Sequence, residues 1–160
     1  KPAVVVTPLG ANDGLRGLAL SQTHANLDRM IRAAKASGAK VLLVGMRMPP
    51  NMGRVYTQGF ANNYTALAKQ HDVALLPFLL EPIATDRNAF QADNLHPVAN
   101  VQPKLRDHVW PALAPLLRCA RSSKRRGRSR TDERSLQPQL HRRNVRGLRS
   151  RVSVFRSLRS

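Results

Sequence analysis

Asp93 and His96 stand three residues apart in "QADNLHP" (91–97), with Pro97 directly behind. A carboxylate on one imidazole nitrogen fixes the tautomer and leaves the other nitrogen to take a proton. That is the acid–base half of a hydrolase triad. The same spacing suits a plainer role, in which Asp93 makes an Asx-turn and His96 sits near the start of the last helix. A metal role is weaker: His24, His71, His108 and His141 have no ligand-like spacing to His96 or to one another, and Cys119 is the single cysteine. Upstream, "GANDGLRG" (10–17) offers a second chemical group. The Asn12 amide can donate to an oxyanion held in a cleft. Alternatively Asn12, Asp13 and Gly14 make a tight turn, because Asn and Asp tolerate left-handed backbone and Gly14 has no Cβ to clear.

Elements must carry these groups to one place. Residues 3–9, 40–46 and 73–79 are short apolar runs of the kind found in strands buried on both faces. Pro8 weakens the end of the first, since proline has no N–H for a ladder. Residues 21–38 read as a helix that Ser21 or Thr23 caps and Gly38 closes, with Leu27, Met30, Ile31 and Ala34 on one face. Residues 56–72 read as a second, with Phe60, Tyr64, Leu67 and Ala68 on its apolar side. Residues 98–117 read as a third, interrupted by Pro103 and Pro111. Alternation of strand and helix implies a parallel sheet and an α/β layered domain. In such sheets ligands sit at the carboxyl ends of the strands. The loops at 10–17, 47–53 and 81–97 all follow strands, so they converge on that edge.

Charge divides the chain. Residues 1–118 carry 13 Lys and Arg against 7 Asp and Glu, a net +6. Residues 119–160 carry 14 against 2, a net +12, so two thirds of the total +18 lies in the last 42 residues. The expected organisation is an α/β domain over 1–118 and an Arg/Ser-rich tail over 119–160. The longest apolar runs fall far below the ~20 residues of a membrane span. With one cysteine, no internal disulfide can form. The opening "KPAVVVTPLG" runs almost directly into a strand without Met, and reads as a piece whose beginning lies elsewhere.

"GANDGLRG", "KVLLVGMRMPPN", "ADNLHP" and "VWPALAPLL" together resemble the SGNH (GDSL) hydrolase family, in its bacterial branch of arylesterases and acyl-CoA thioesterase/lysophospholipases. The resemblance runs from about residue 2 to about residue 118. It implies a flavodoxin-like three-layer α/β/α fold, here partial, and an ester or thioester hydrolase acting through a serine acyl-enzyme without metal or organic cofactor. It implies Asp93 as orienting acid, His96 as base, Asn12 as oxyanion donor and Gly10 as shaping the approach. Residues 13–18, with Asp13, Gly14 and Leu15, match a segment that moves on substrate binding. Arg47, Pro49 and Pro50 match a wall of the acyl-chain groove. Small acyl esters or thioesters are the implied substrates, and a periplasmic or secreted location is expected of full-length relatives.

The resemblance also implies a serine in a G-D-S motif and a glycine block, both upstream of the G-x-N-D block, and neither occurs in this sequence. The only serines before residue 119 are Ser21 and Ser37, both assigned to helix ends, and no G-x-S-x-G elbow occurs. The chain by itself is therefore expected to be inactive. A three-strand remnant is expected to expose an apolar edge. The tail has three readings: a basic arm for nucleic acid, a basic amphipathic helix for anionic membrane built on Val145, Leu148, Val152 and Phe155, or out-of-frame translation of GC-rich DNA. Thirteen Arg with one Lys and eight Ser favours the last, and a segment so poor in apolar area is expected to be disordered.

Overall fold

The structure, a computed structural model, describes residues 2–125 and 153–154. Strands β1 (Val4–Thr7), β2 (Lys40–Val44) and β3 (Ala74–Leu76) form a parallel sheet in which β2 is central. Val4 lies opposite Lys40 through to Thr7 opposite Leu43, and Leu42 opposite Ala74 through to Val44 opposite Leu76. The sequence reading placed all three strands correctly and drew each too long at its carboxyl end.

Strand β2 shows why the domain has three layers. Successive side chains of a strand point to opposite faces. Val41 and Leu43 pack with Leu27 and Ile31 of α2 (Leu20–Ala36) and with Phe60, Tyr64 and Leu67 of α3 (Arg54–His71). Leu42 and Val44 join Leu76 on the other face, against Val109, Leu113 and Leu116 of α4 (Gln102–Arg125). Each large apolar side chain taken fully out of water contributes about 1.5–3 kcal/mol before ordering entropy is counted.

Several local expectations are corrected. Helix α2 starts at Leu20 after Ala19 with no side-chain cap, so neither Ser21 nor Thr23 caps it. Thr23 is instead fully buried one turn in. Gly38 does close the helix, at φ 78°. Pro8 lies just past β1 and costs the ladder nothing. Pro103 is the second residue of α4, in the first turn, where a missing N–H is tolerated. Pro111 does not interrupt α4: both it and Pro115 lie inside the helix, on its exposed side.

The boundary at 118 is not a structural break, since α4 continues through Arg125. Ser153–Val154 forms a two-residue strand, β4, parallel to β1 at Val5 and Val6. The three-strand remnant expected from the sequence is thus joined by a fourth strand, which pairs the outer side of β1 at Val5 and Val6. The expected amphipathic helix and the rest of the tail lie outside the described residues.

Candidate active site

The Asp93–His96 loop is pinned from below. Ile83, Ala89, Val101 and Leu105 form a small buried cluster between the 81–97 segment and the start of α4. Above it the Val98 N–H donates to the Ala89 carbonyl at 2.9 Å, and the Gln91 N–H to the His96 carbonyl at 2.8 Å. Asn94 takes up the reversal at φ 56°, a left-handed value that Asn tolerates.

Within that frame the Asp93 carboxylate is satisfied on both oxygens. Oδ1 accepts from the backbone N–H of Leu95 at 2.9 Å and of His96 at 3.0 Å. Oδ2 lies 2.6 Å from His96 Nδ1. The two readings left open by the sequence are thus one structure: the same Asp makes the Asx-turn and holds the imidazole. The His96 backbone N–H first, then its ring and the Leu95 N–H, hold the Asp93 carboxyl down at about 2. His96 is exposed, at 72% of its side-chain surface against 44% for Asp93, and its Nε2 makes no hydrogen bond among the described residues.

His96 borders a cleft of about 530 Å³ whose other walls come from the ends of all three strands of the core sheet. Ala11, Asn12 and Leu15 follow β1. Arg47, Met48, Pro49 and Pro50 follow β2, and Phe78 and Leu79 follow β3. Asn12 and His96, 84 positions apart in sequence, therefore share one cavity. Asn12 does not sit in the tight turn that the sequence also allowed. Gly10 reverses the chain at φ 105° and opens the short helix α1 (Ala11–Leu15). The Tyr64 hydroxyl passes directly under Gly10, where a Cβ would collide with it, and donates to the Leu9 carbonyl at 2.9 Å. Burial, and then the charge of Asp13, push the Tyr64 hydroxyl well above its ordinary pKa, so it stays a donor.

Not every candidate faces the cleft. Gly10 and Asp13 line a second hollow of about 560 Å³, which Ala11 and Asn12 also border, with Asn26 and Arg29 of α2, and Asn26 donates to Asp13 at 3.3 Å. Gly14 is buried against Met48 and Phe60. The Tyr56 hydroxyl, 2.9 Å from the Leu18 carbonyl and 3.2 Å from that of Gly14, ties down the 13–18 segment. Sequence reasoning missed Tyr56, and it assigned Phe78 and Leu79 to strand. Pro77, a poor residue for a central strand, was the available signal that β3 stops at Leu76. No serine, threonine or cysteine among the described residues lines the cleft. Among the described residues no group of three or more His, Cys, Asp or Glu is placed to hold a metal, and no helix is long and apolar enough to cross a membrane.

A parallel sheet covered on both faces, with Asn12 and His96 bordering one cleft at its strand ends, defines the class as layered α/β folds that bind at their strand carboxyl ends. The particular family follows from comparison: the chain belongs to the GDSL-like Lipase/Acylhydrolase family, whose model matches residues 1–101. It is 50% identical over 117 residues to Esterase TesA of Pseudomonas aeruginosa, covering 73% of this chain and 58% of that protein. It is 39% identical to Thioesterase 1/protease 1/lysophospholipase L1 of Escherichia coli over 73% of this chain and 56% of the relative. The crystal structure of TesA superposes with a TM-score of 0.69 at 49% identity, over 72% of this chain and 64% of that one. The chain thus spans a little over half the length of the curated relatives it matches.

Proposed function

We propose that residues 1–118 carry the acid–base half of an ester or thioester hydrolase site. His96 is the general base and acid, Asp93 its orienter and Asn12 an oxyanion donor. Leu15, Pro49 and Pro50 flank the acyl chain. The observation that carries this reading is the 2.6 Å contact that holds Nδ1 of His96 to Asp93 at the edge of a cleft also lined by Asn12. A serine hydroxyl presented there would pass its proton to His96 Nε2 as it attacks the acyl carbon. The resulting oxyanion would be met by the Asn12 amide. The protonated imidazole would then give its proton to the departing oxygen or sulfur, and water would clear the acyl-enzyme by the same path. Among the described residues the cleft supplies no nucleophile, so in this reading the chain alone is inactive.

The test is direct. The 160-residue chain should show no detectable turnover of p-nitrophenyl butyrate. Fusing to its N-terminus the segment of the Pseudomonas relative that precedes the matched region should give hydrolysis. His96→Ala should then abolish it, and Asn12→Ala should lower kcat by roughly 10²–10³, the usual loss for one oxyanion donor. Turnover by the unextended chain that survives His96→Ala would overturn the assignment.

A further inference from the structure

Strands β2 and β3 fall out of step where they enter the cleft. Val44 lies opposite Leu76, and the Gly45 N–H donates to the Leu76 carbonyl at 2.7 Å, as a parallel ladder requires. That ladder would next take the Gly45 carbonyl to the Phe78 N–H. It goes instead to the Leu79 N–H at 3.0 Å, so one extra residue is accommodated after Leu76. Such a bulge re-aims a side chain at the end of a strand. Gly45 makes room for it, because a Cβ there would strike the Pro77 carbonyl. The side chain re-aimed is Phe78, which is buried, lines the cleft and carries the Arg47 guanidinium 5.0 Å over its ring centroid. Among the described residues its ring belongs to none of the three apolar clusters of the core, so backbone rather than core packing sets its place. The Phe78 carbonyl accepts from a side chain instead of a neighbouring strand: the part-buried His108 of α4 meets it at 2.9 Å through Nε2. A carbonyl only accepts, so Nε2 carries the proton whether or not Nδ1 does.

We propose that His108 is a positioning residue of the hydrolase site: by holding the carbonyl of the bulge, it fixes the Phe78 ring as a wall of the acyl groove. This deepens, and rests on, the acyl-hydrolase reading of the same cleft. Arg47 ties the ring to that groove, since it follows β2 with Pro49 and Pro50 and stacks on Phe78. His108 is not itself among the residues that line the cleft, so it acts through Phe78. Glu81 stands 3.8 Å from the same nitrogen, beyond hydrogen-bond distance, and its side chain is 58% exposed, so water screens it and the carbonyl is the ring's working partner.

The unmodified chain gives the first test. Its long-range proton–nitrogen imidazole spectrum at neutral pH should show a protonated His108 Nε2, and a bare Nε2 sinks the proposal before any variant is made. The second test titrates N-methyldecanamide, an uncleavable neutral acyl analogue, with the amide resonances of Leu15, Phe90 and Leu95 as the readout. His108→Ala should weaken its binding about 3- to 10-fold, roughly the net worth of one hydrogen bond. His108→Gln, which keeps a side-chain N–H donor, should restore most of the loss, and Glu81→Gln should leave binding as it was. In a Phe78→Ala background, His108→Ala should weaken binding by less than about twofold further, because the wall through which it acts is gone. A residue that only stabilised the fold would lower the urea midpoint alike in both backgrounds and leave the affinity of the folded chain alone. Suppose the ligand moves the three resonances, but His108→Ala leaves affinity unchanged, or weakens it as much without Phe78 as with it, or is reproduced by Glu81→Gln. The positioning proposal is then wrong and the acyl cleft stands. If the ligand moves none of them, the acyl cleft itself is wrong and His108 has no such role.

Discussion

Asp93 shows how much a single carboxylate can be made to do by neighbours two and three residues away. Its carboxyl is depressed to about 2, so the ionised form is the one the loop holds. The sign follows: the Asp93 contribution to loop order is complete above the ordinary carboxylate value near 4 and is lost as pH falls toward about 2. NMR titration of the Asp93 carboxyl should give a midpoint well below that of a free Asp, and Leu95→Pro, which deletes one of its donors, should raise it. Thr23 is a contrasting case. Its hydroxyl is buried and has no partner among the described residues. Replacing a buried, unsatisfied hydroxyl by a methyl removes a desolvation cost, so Thr23→Val should stabilise the domain by about 1 kcal/mol in urea titrations. Gly14→Ala should do the opposite. Its new methyl would press on Met48 Sδ and the Phe60 ring, an overpacking cost of about 1–3 kcal/mol.

Helices α2 and α3 are joined by an apolar seam and by a polar clamp at one end. The clamp is Asp28, which accepts from Arg32 at 2.8 Å and meets His71 at 2.7 Å, with Gln70 at 3.2 Å. His71 first, then Arg32, lower the Asp28 pKa. The stability that Asp28→Asn removes should therefore be present above about pH 4 and should vanish as pH falls below it. In the seam, Leu27→Ala should cost about 2–5 kcal/mol, because Leu27 is fully buried and its removal leaves a cavity. These elements differ in how far the sequence disclosed them. Strand alternation and the helical spacing of Leu27 and Ile31 are short-range periodicities, so the layered fold was readable. The Asp93–His96 pair was readable for the same reason, since both partners share one short loop. Thr23 was misread as a cap because propensity knows nothing of what lies over the helix. The Asp28–His71 clamp and the Phe78 side of the cleft were invisible, because their partners meet only through tertiary packing.

Charge is the property most unevenly spread over the whole molecule. The +12 of residues 119–160 against the +6 of residues 1–118 makes the sequence two electrostatic objects in one chain. If the basic segment engages nucleic acid by charge alone, log affinity for duplex DNA should fall linearly with log salt, losing on the order of 10³ between 50 and 200 mM for six or more phosphate contacts. Deleting residues 119–160 should abolish that binding. Binding that persists would place the contact surface in the α/β part. The site itself is also two objects, in time as well as in space. The hydrogen bonds of Asp93 close loops of two and three residues, whereas Asn12 reaches the same cleft only after the chain has folded across 84 positions. Closing loops of about ten residues takes ~10–100 ns, and long-range pairing in parallel sheets is far slower. The proton-handling pair can therefore form within a stretch of chain that has not yet found its sheet. A synthetic peptide of residues 89–98 should already show an Asp93 carboxyl titrating below that of a scrambled control. If it does, the base arrives at the cleft already oriented, and what remains for the rest of the fold is delivery.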